Sequence, residues 1–204
     1  MRHFKFLAFT AAIRAKSAGF TLIELMIAVA IMGIVISFAA PSMRDMLINN
    51  RIQGISSDLV ADLSLARGTA AAKGQRVTIC QSTDSATCTG GSTWQGGWIV
   101  FVDGNSNGTF EPASDTLVKA REATNTNLTV APYNASSTAL TSANTATTSV
   151  RFRPSGTTTA SAAIGFRICQ NGFVYRDVLI STLGRVSSST SSARATSQNT
   201  TSCS

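Results

Sequence analysis

The stretch "GFTLIELMIAVAIMGIVISFAAPS", residues 19–42, decides the fold because it is a nearly continuous apolar run that contains one acid, Glu24. At about 1.5 Å of rise per residue, residues 20–40 make a helix of roughly 31 Å, close to the ~30 Å hydrocarbon core of a bilayer. Pro41 is expected to end or kink this helix. The sequence therefore predicts a transmembrane helix over residues 20–41.

Glu24 is the unusual residue of this segment. A charged group at bilayer depth costs at least ~2.5–3.5 kcal/mol on insertion scales, so such residues usually have a partner and a function. The alternative is that Glu24 lies near the headgroups and reaches for water. The residues before it favour a functional role.

The chain before Gly19 is basic, with Arg2, Lys5, Arg14 and Lys16 and no acid. Cationic flanks stay in the cytoplasm, which places the rest of the chain on the other side of the membrane. A secretory signal peptide is the competing interpretation, but its apolar region has about 7–15 residues, and this one is longer and carries an acid.

A second, amphipathic helix pattern follows over residues 42–74. Its apolar positions from Ile52 onward step by three or four, as in a helix with one buried face: Ile52, Ile55, Leu59, Leu63, Ala66 and Ala70. Met43 and Leu47 lie upstream on a similar stripe. Lys73 and Gly74 are typical of a helix end. We predict one helix of about 50 residues, bent near Pro41.

The pattern changes to short strands after the helix, over residues 75–186. Seven β-type runs are separated mostly by turn-forming residues: residues 76–80, 97–102, 116–122, 128–133, 150–154, 164–169 and 173–181. Alternation in "VRFR" and "IGFRIC" predicts an antiparallel sheet with one solvated face. The helical pattern comes first along the chain and the strands follow it. This order predicts an α+β domain in which the helix covers the sheet.

Two stretches of low complexity interrupt or follow the strands. Residues 134–149 form a loop rich in Ser, Thr, Ala and Asn, and residues 187–204 form a similar C-terminal tail. Neither buries enough apolar surface to offset its ordering entropy. Trp94 and Trp98 flank "QGG", and sheet packing is favoured over ligand stacking for both.

The cysteines and the single histidine restrict the function. Cys80, Cys88, Cys169 and Cys203 lie beyond the apolar segment, on the side predicted to be oxidising, so disulfides are expected. We favour the pairs Cys80–Cys88 and Cys169–Cys203. The only histidine is His3, so a chain without the leader cannot build a Ser-His-Asp, Cys-His or usual zinc site, and no enzyme activity or cofactor is expected.

The heptapeptide "GFTLIEL" resembles the class III signal of type IV pilins and type II secretion pseudopilins. The resemblance implies that residues 1–19 are a leader, that a prepilin peptidase cleaves between Gly19 and Phe20, and that the new amino group of Phe20 is methylated. Glu24 then stands at the fifth position of the mature chain, where the family keeps an acid. In this setting Glu24 meets the charge of the new amine and checks the register of assembly.

The rest of the chain resembles the minor-pilin and pseudopilin group that includes FimT, FimU and GspH. The resemblance is carried by "VTIC", "GWIVFVDGNSNG", "VRFRPSG", "FRIC" and "VLISTLGRV". It implies a type IV pilin-like α+β fold and a structural, non-catalytic subunit at or near the tip of a type IV pilus or a type II secretion pseudopilus. The expected location is the bacterial inner membrane, single-pass with a periplasmic domain, and then the filament. Expected partners are the prepilin peptidase, other pilins or pseudopilins, and the inner-membrane assembly platform.

Two further sites have competing interpretations. Asp103, Asn105 and Asn107 stand at the first, third and fifth positions of a calcium-type loop, but the twelfth position is Ser114, and an Asn/Asp-held hairpin turn explains the same residues. Residues 151–204 carry six arginines and one acid. FimT-type pilins bind DNA through a Gly-Arg-x-Arg stretch near the C-terminus. In this chain Gly184 and Arg185 match the first two positions, but the position of the second arginine is Ser187. Arg194 is the nearest substitute. DNA uptake is therefore the alternative function.

Overall fold

The computed structural model describes residues 19–91, 94–123, 128–134, 148–170 and 173–190. The chain separates into two compact units, residues 1–45 and 46–204. The predicted leader lies outside the described residues except for Gly19. The predicted tail also lies outside them from residue 191 onward.

One long α-helix, α1, extends over Leu22–Lys73. Thr21 caps its first turn, and Gly74 follows its last residue with a φ of +63°, the left-handed conformation that ends many helices. This confirms the predicted single helix and its end, but the helix does not stop at Pro41. Among the helices of the described residues, none is long and apolar enough to cross a membrane.

The strands form two antiparallel sheets rather than the single sheet that the sequence predicts. The first sheet has the order β3-β2-β1-β5. Its strands are β1 (Val77–Gln81), β2 (Trp98–Val102), β3 (Thr116–Arg121) and β5 (Ser149–Phe152). A 3-10 helix at Trp94–Gly96, which has no sequence signal of its own, precedes β2.

The second sheet has the order β4-β6-β7-β8. Its strands are β4 (Leu128–Asn134), β6 (Ile164–Gln170), β7 (Phe173–Ile180) and β8 (Val186–Thr190). The prediction of a tail from residue 187 is wrong over its first four residues, which pair with β7 from Leu179↔Ser187 to Arg176↔Thr190. The serines of β8 carry no apolar pattern, so this strand is held by pairing with β7 and by Val186, which packs against the core.

The main core joins α1 with both sheets, as the α+β prediction requires. The predicted helix face is buried at Ile52, Ile55, Leu59, Leu63, Ala66 and Ala70. Met43 and Leu47, which were placed on a similar stripe upstream, are exposed, so the buried face does not extend to them. Periodicity alone cannot locate where the sheets stop covering a helix.

Both tryptophans lie in this core, which agrees with the packing expected of them. The rings of Trp94 and Trp98 have centroids 6.5 Å apart, and Trp94 meets Phe166 edge to face at 4.7 Å. The indole Nε1 of Trp98 donates a hydrogen bond of 2.9 Å to Asp62 Oδ2. Because Phe166 belongs to β6, these contacts connect β2, the second sheet and the helix.

The first sheet is buried on both faces at its centre, contrary to the prediction of one solvated face. All five residues of β1 and all five of β2 are buried. On the face away from the main core, Cys80, Ile99 and Phe101 form a second cluster against Cys88 and Phe110. Loops contribute the last two residues, so the segments 82–91 and 103–115 cover this face.

Candidate functional site

The predicted processing site lies at the beginning of the described chain, in front of α1. Gly19 lies in open space, and the Phe20 side chain is 84% exposed. Neither residue belongs to the helix, which begins at Leu22. Both residues of the predicted cleavage site are therefore exposed, and cleavage between them stays a prediction.

Glu24 occupies the third position of the helix and is exposed. Its backbone N–H donates to Thr21 Oγ1 at 3.3 Å, while the Leu25 N–H donates to the Thr21 carbonyl at 3.1 Å. Thr21 and Glu24 therefore have the spacing of a capping box, a motif that the sequence analysis did not use. A carboxylate in the first turn also interacts favourably with the helix dipole.

An unpartnered apolar surface follows Glu24 along the helix. Every large apolar side chain described between Leu22 and Ile36 is more than half exposed: Leu22, Ile23, Leu25, Met26, Ile27, Val29, Ile31, Met32, Ile34, Val35 and Ile36. Soluble monomers rarely expose contiguous apolar patches of this kind, which mark protein or membrane contacts. The segment from Leu22 to Ile36 thus presents an apolar surface and one acid, Glu24.

A basic pocket lies at the other end of α1, where the helix meets two loops. Its volume is about 380 Å³, and Arg67, Arg185, Ser64 and Ser155 are among its lining residues. Arg67 Nε donates to the Gly156 carbonyl at 3.1 Å. Arg67 and Arg185 are both exposed, so the pocket presents two guanidinium groups to solvent.

Close backbone packing builds this pocket. Gly184 has a φ of +77°, and a Cβ there would stand 1.9 Å from the Gly156 carbonyl oxygen. No side chain fits that space, so Gly184 in "LGR" is required by a direct contact with "PSG". The turn is closed by the Ser181 N–H, which donates to the Arg185 carbonyl at 3.0 Å.

The other C-terminal arginines do not form one solvated row. Arg167, assigned from its alternation to a solvated face, is 2% exposed and donates to Asp177 Oδ1 at 3.2 Å. Its guanidinium lies over the ring of Tyr133, 4.7 Å from the centroid. Burial, followed by the negative charge of Asp177, raises the pKa of the Tyr133 hydroxyl to about 12. Arg167 is therefore a core residue and is not available to a ligand.

Arg151 and Arg153 are also held by neighbouring loops. Arg153 Nη1 donates to the Thr158 carbonyl at 2.9 Å. The Arg151 guanidinium lies against Gly108, where a Cβ would stand 2.2 Å from Nη2. Of the predicted DNA-binding residues, Arg185 lies in the basic pocket, and Arg194 lies outside the described residues.

The Cys80–Cys88 disulfide is present, as the sequence predicted. It closes a loop in which Asp84 accepts hydrogen bonds from the Thr87 hydroxyl, the backbone of Ala86 and Thr87, and the Ser82 hydroxyl. These bonds, chiefly that of the Thr87 hydroxyl, hold the pKa of Asp84 well below its ordinary value. The predicted Cys169–Cys203 pair stays a prediction, because Cys203 lies outside the described residues.

The candidate calcium residues lie in the loop between β2 and β3. Asp103 Oδ2 accepts hydrogen bonds from Thr78 Oγ1 at 2.9 Å and the Gly108 N–H at 3.0 Å. Asn105 and Asn107 each accept a backbone N–H two residues ahead, at 3.1 and 2.7 Å. These are the hydrogen bonds of a turn held by Asn and Asp side chains. Within the described ranges, no three His, Cys, Asp or Glu side chains group as a metal site.

Comparisons with protein families match two parts of the chain. Residues 56–184 match GspH, described as a type II transport protein, and this match covers more than half of the chain. Residues 14–40 match the prokaryotic N-terminal methylation motif. A comparison with curated protein sequences gives no match.

Solved structures resemble the fold. The type IV minor pilin FimU of Pseudomonas aeruginosa (strain PAO1) has 22% identity and a TM-score of 0.54, over 71% of this chain and 92% of that chain. The minor pseudopilin EpsH of the Vibrio cholerae type II secretion system has 10% identity and a TM-score of 0.47, over 72% and 99% of the two chains. The likeness to FimU establishes the pilin-like α+β fold.

Proposed function

Since the chain belongs to the GspH family and carries the N-terminal methylation motif, we propose that it assembles through α1 at or near the tip of a type IV pilus or a type II secretion pseudopilus. Subunits of this family are structural, and the chain is a minor pilin or pseudopilin rather than an enzyme. Tip position and choice of filament are the parts of the proposal that go beyond family membership.

The observation that supports helix-mediated assembly is the exposed apolar surface from Leu22 to Ile36. Apolar surface in contact with water is unfavourable, so lipid or other apolar groups are expected to cover this segment. We infer that this segment anchors the chain in the inner membrane before assembly. The helices of neighbouring subunits then replace lipid around it in the filament.

Processing creates the charge that Glu24 meets. Cleavage after Gly19 by a prepilin peptidase releases an amine on Phe20, four residues before Glu24. An amine and a carboxylate in a low-dielectric setting stabilise each other only with good geometry, and removing one partner strands the other at a cost of ~3–5 kcal/mol. The pair therefore selects one register between helices that otherwise pack by non-directional apolar contact.

Substitution of Glu24 tests this role. Glu24→Ala should still be cleaved and stay in the membrane fraction, and should enter sheared filaments at least tenfold less than the natural chain, because the amine is left without its partner. Glu24→Gln keeps the length of the side chain and an acceptor for the capping box but removes the negative charge. If the charge is required for assembly, this variant should enter filaments as poorly as Glu24→Ala. Immunoblots of filament and membrane fractions give the measurement.

Glu122→Ala is the matched control, because Glu122 is an exposed glutamate of the folded domain. It should enter filaments normally. If Glu24→Ala also enters normally, the electrostatic role is wrong, whereas restored entry by Glu24→Gln alone would assign Glu24 to helix capping.

The filament type and the position in it are tested in the producing bacterium. We favour the pilus, on the resemblance to FimT and FimU in the sequence. Deletion of the gene should then reduce surface pili and leave type II secretion unchanged, and gold-labelled antibody should decorate filament ends. Lost secretion with normal pili would assign the chain to a pseudopilus, and label along the whole filament would contradict the tip position.

DNA binding in natural transformation is the second candidate, and the basic pocket favours it. Arg67 and Arg185 present two guanidinium groups in one cavity of about 380 Å³. Arginines that contact phosphates give affinity that falls as salt rises and that ignores base sequence. Arg185→Ala should weaken retention of DNA in a filter assay, whereas Arg51→Ala, the same charge loss at an exposed helix position, should have a smaller effect. Affinity that salt does not alter would exclude phosphate contact.

A further inference from the structure

The Asp103 carboxylate holds the loop between β2 and β3 with only one of its two oxygens. Asp103 is 1% exposed, and its Oδ2 accepts hydrogen bonds from Thr78 Oγ1 and the Gly108 N–H. Its Oδ1 is buried and has no hydrogen-bond partner within the described part of the chain. Leaving a buried carboxylate oxygen unpaired is costly, so a missing partner is indicated at this atom.

Two amide oxygens follow Asp103 at alternate positions. Asn105 Oδ1 accepts the Asn107 N–H at 3.1 Å, and Asn107 Oδ1 accepts the Thr109 N–H at 2.7 Å. An amide oxygen has two lone pairs, so each can bind one more group. Both asparagines are exposed, so their amide oxygens can be reached from solvent.

The spacing of these oxygens matches the beginning of a calcium loop. Calcium loops take ligands from positions one, three and five, and need a glycine at position six for a sharp turn. Gly108 stands at position six with a φ of +84°. Its N–H donates to the first-position carboxylate, so the loop closes around Asp103.

We propose that this loop binds Ca²⁺ through Asp103 Oδ1, Asn105 Oδ1 and Asn107 Oδ1. Calcium, rather than a transition metal, fits because all three donors are hard oxygens and only one carries charge. A cation bound there pairs with the buried Oδ1 of Asp103. The Oδ2 of the same carboxylate connects the loop to β1 through Thr78.

The rest of the loop predicts low affinity. Asp115, one residue beyond the usual twelfth position, already accepts from the Gly104 N–H with Oδ1 and the Glu111 N–H with Oδ2, both at 2.8–2.9 Å. Asn105 Nδ2 donates a hydrogen bond of 2.7 Å to Glu111 Oε2. With one carboxylate as a ligand, the dissociation constant should be about 10⁻⁴–10⁻³ M, the range of extracellular modules.

Arg151 is the competing explanation for the buried oxygen. Its guanidinium lies against Gly108, and it carries a positive charge beside the loop. If Arg151 alone balances Asp103, the loop needs no metal. The calcium dependence of thermal unfolding distinguishes a bound cation from Arg151 as the partner of Asp103.

The test measures thermal unfolding of the full-length chain in non-ionic detergent, with calcium chloride added at constant ionic strength. At about ten times the dissociation constant, calcium should raise the Tm by about 3–6 °C and then saturate. Magnesium at the same concentrations should act much less, because it needs a tighter octahedral ligand set. No saturable calcium shift up to about 10 mM would overturn the proposal in favour of Arg151.

Two variants locate the effect in the loop. Asp103→Asn removes the charged ligand and should abolish the calcium shift, although the buried amide it introduces could also weaken folding. Asn107→Asp avoids that problem, because it is exposed and adds a second charged ligand; it should lower the dissociation constant about tenfold. Asn49→Asp, the same charge change at an exposed helix position, should leave calcium affinity unchanged. Equal affinities of Asn107→Asp and Asn49→Asp would overturn the assignment of the site.

Discussion

The two parts of α1 on either side of Asp45 have similar apolar residues and opposite environments. From Leu22 to Ile36 the large apolar side chains are exposed. From Ile52 to Ala70 an apolar face of the same helix is buried against the two sheets. Both parts are α-helical and carry large apolar side chains, so a covering sheet decides which of these side chains are buried.

This difference separates folding from assembly. Burial of the second part stabilises the domain within one chain, whereas the large apolar side chains of the first part, from Leu22 to Ile36, are exposed. The apolar surface of the first part therefore contributes a favourable free energy only when lipid or another subunit covers it. Substitutions in the two parts should affect different measurements, and three predictions test this in order of decreasing effect on the unfolding free energy.

Leu59→Ala should have the largest effect on stability. Leu59 is fully buried in the core, so its truncation removes apolar contacts and leaves a cavity, which costs about 2–5 kcal/mol of unfolding free energy. Urea unfolding followed by tryptophan fluorescence measures it, because Trp94 and Trp98 lie in the same core. A loss below about 0.5 kcal/mol, the usual range of surface substitutions, would show that the helix is not part of the domain core.

Asp62→Ala should have the second largest effect. Asp62 is buried and accepts hydrogen bonds from Trp98 Nε1 and Lys119 Nζ, so its removal leaves the buried indole N–H unpaired at a cost of about 1–3 kcal/mol. The same urea titration applies. The matched control is Asp58→Ala, one turn earlier, where the half-exposed pair with Arg121 should contribute only about 0–1 kcal/mol. Equal losses for both variants would contradict the role of burial.

Leu25→Ala should have the smallest effect on stability and a clear effect on assembly. Leu25 is exposed, so the unfolding free energy of the domain should change by less than about 0.5 kcal/mol. Its recovery in sheared filaments should nevertheless fall, because the side chain belongs to the surface that neighbouring helices cover. A destabilisation as large as that of Leu59→Ala would show that the first part of α1 also packs on the domain.

Sequence patterns located most elements, because each pattern reflects a local cause. The steps of three and four residues around Leu59 and Leu63 reflect helix geometry, and Lys73–Gly74 reflect helix termination. The strand β8 was missed because "VSSST" has no apolar pattern and exists by pairing with β7. Arg167 was assigned to a solvated face because charge normally avoids burial, but its partner Asp177 on the neighbouring strand β7 reverses that rule.

The candidate sites divide in the same way. The predictions for Gly19, Phe20 and Glu24 rest on one short motif, because a protease and a helix terminus each recognise contiguous residues. The basic pocket required the structure, since Arg67, Gly156 and Arg185 come from the helix and two distant loops. The burial of Asp103 was also invisible in the sequence, because its Oδ2 accepts from Thr78 in β1, which is distant along the chain.

The amino-acid sequence by itself determined the long helix, its apolar beginning with one acid, the strand-rich remainder and the Cys80–Cys88 pair. These depend on local periodicity, on turn and cap chemistry and on short loop closure. Tertiary structure alone decided which apolar residues of α1 are buried, which charged residues enter the core and which arginines share a pocket. Those outcomes depend on surfaces brought together from distant parts of the chain, and burial is a property of the pair of surfaces rather than of either sequence.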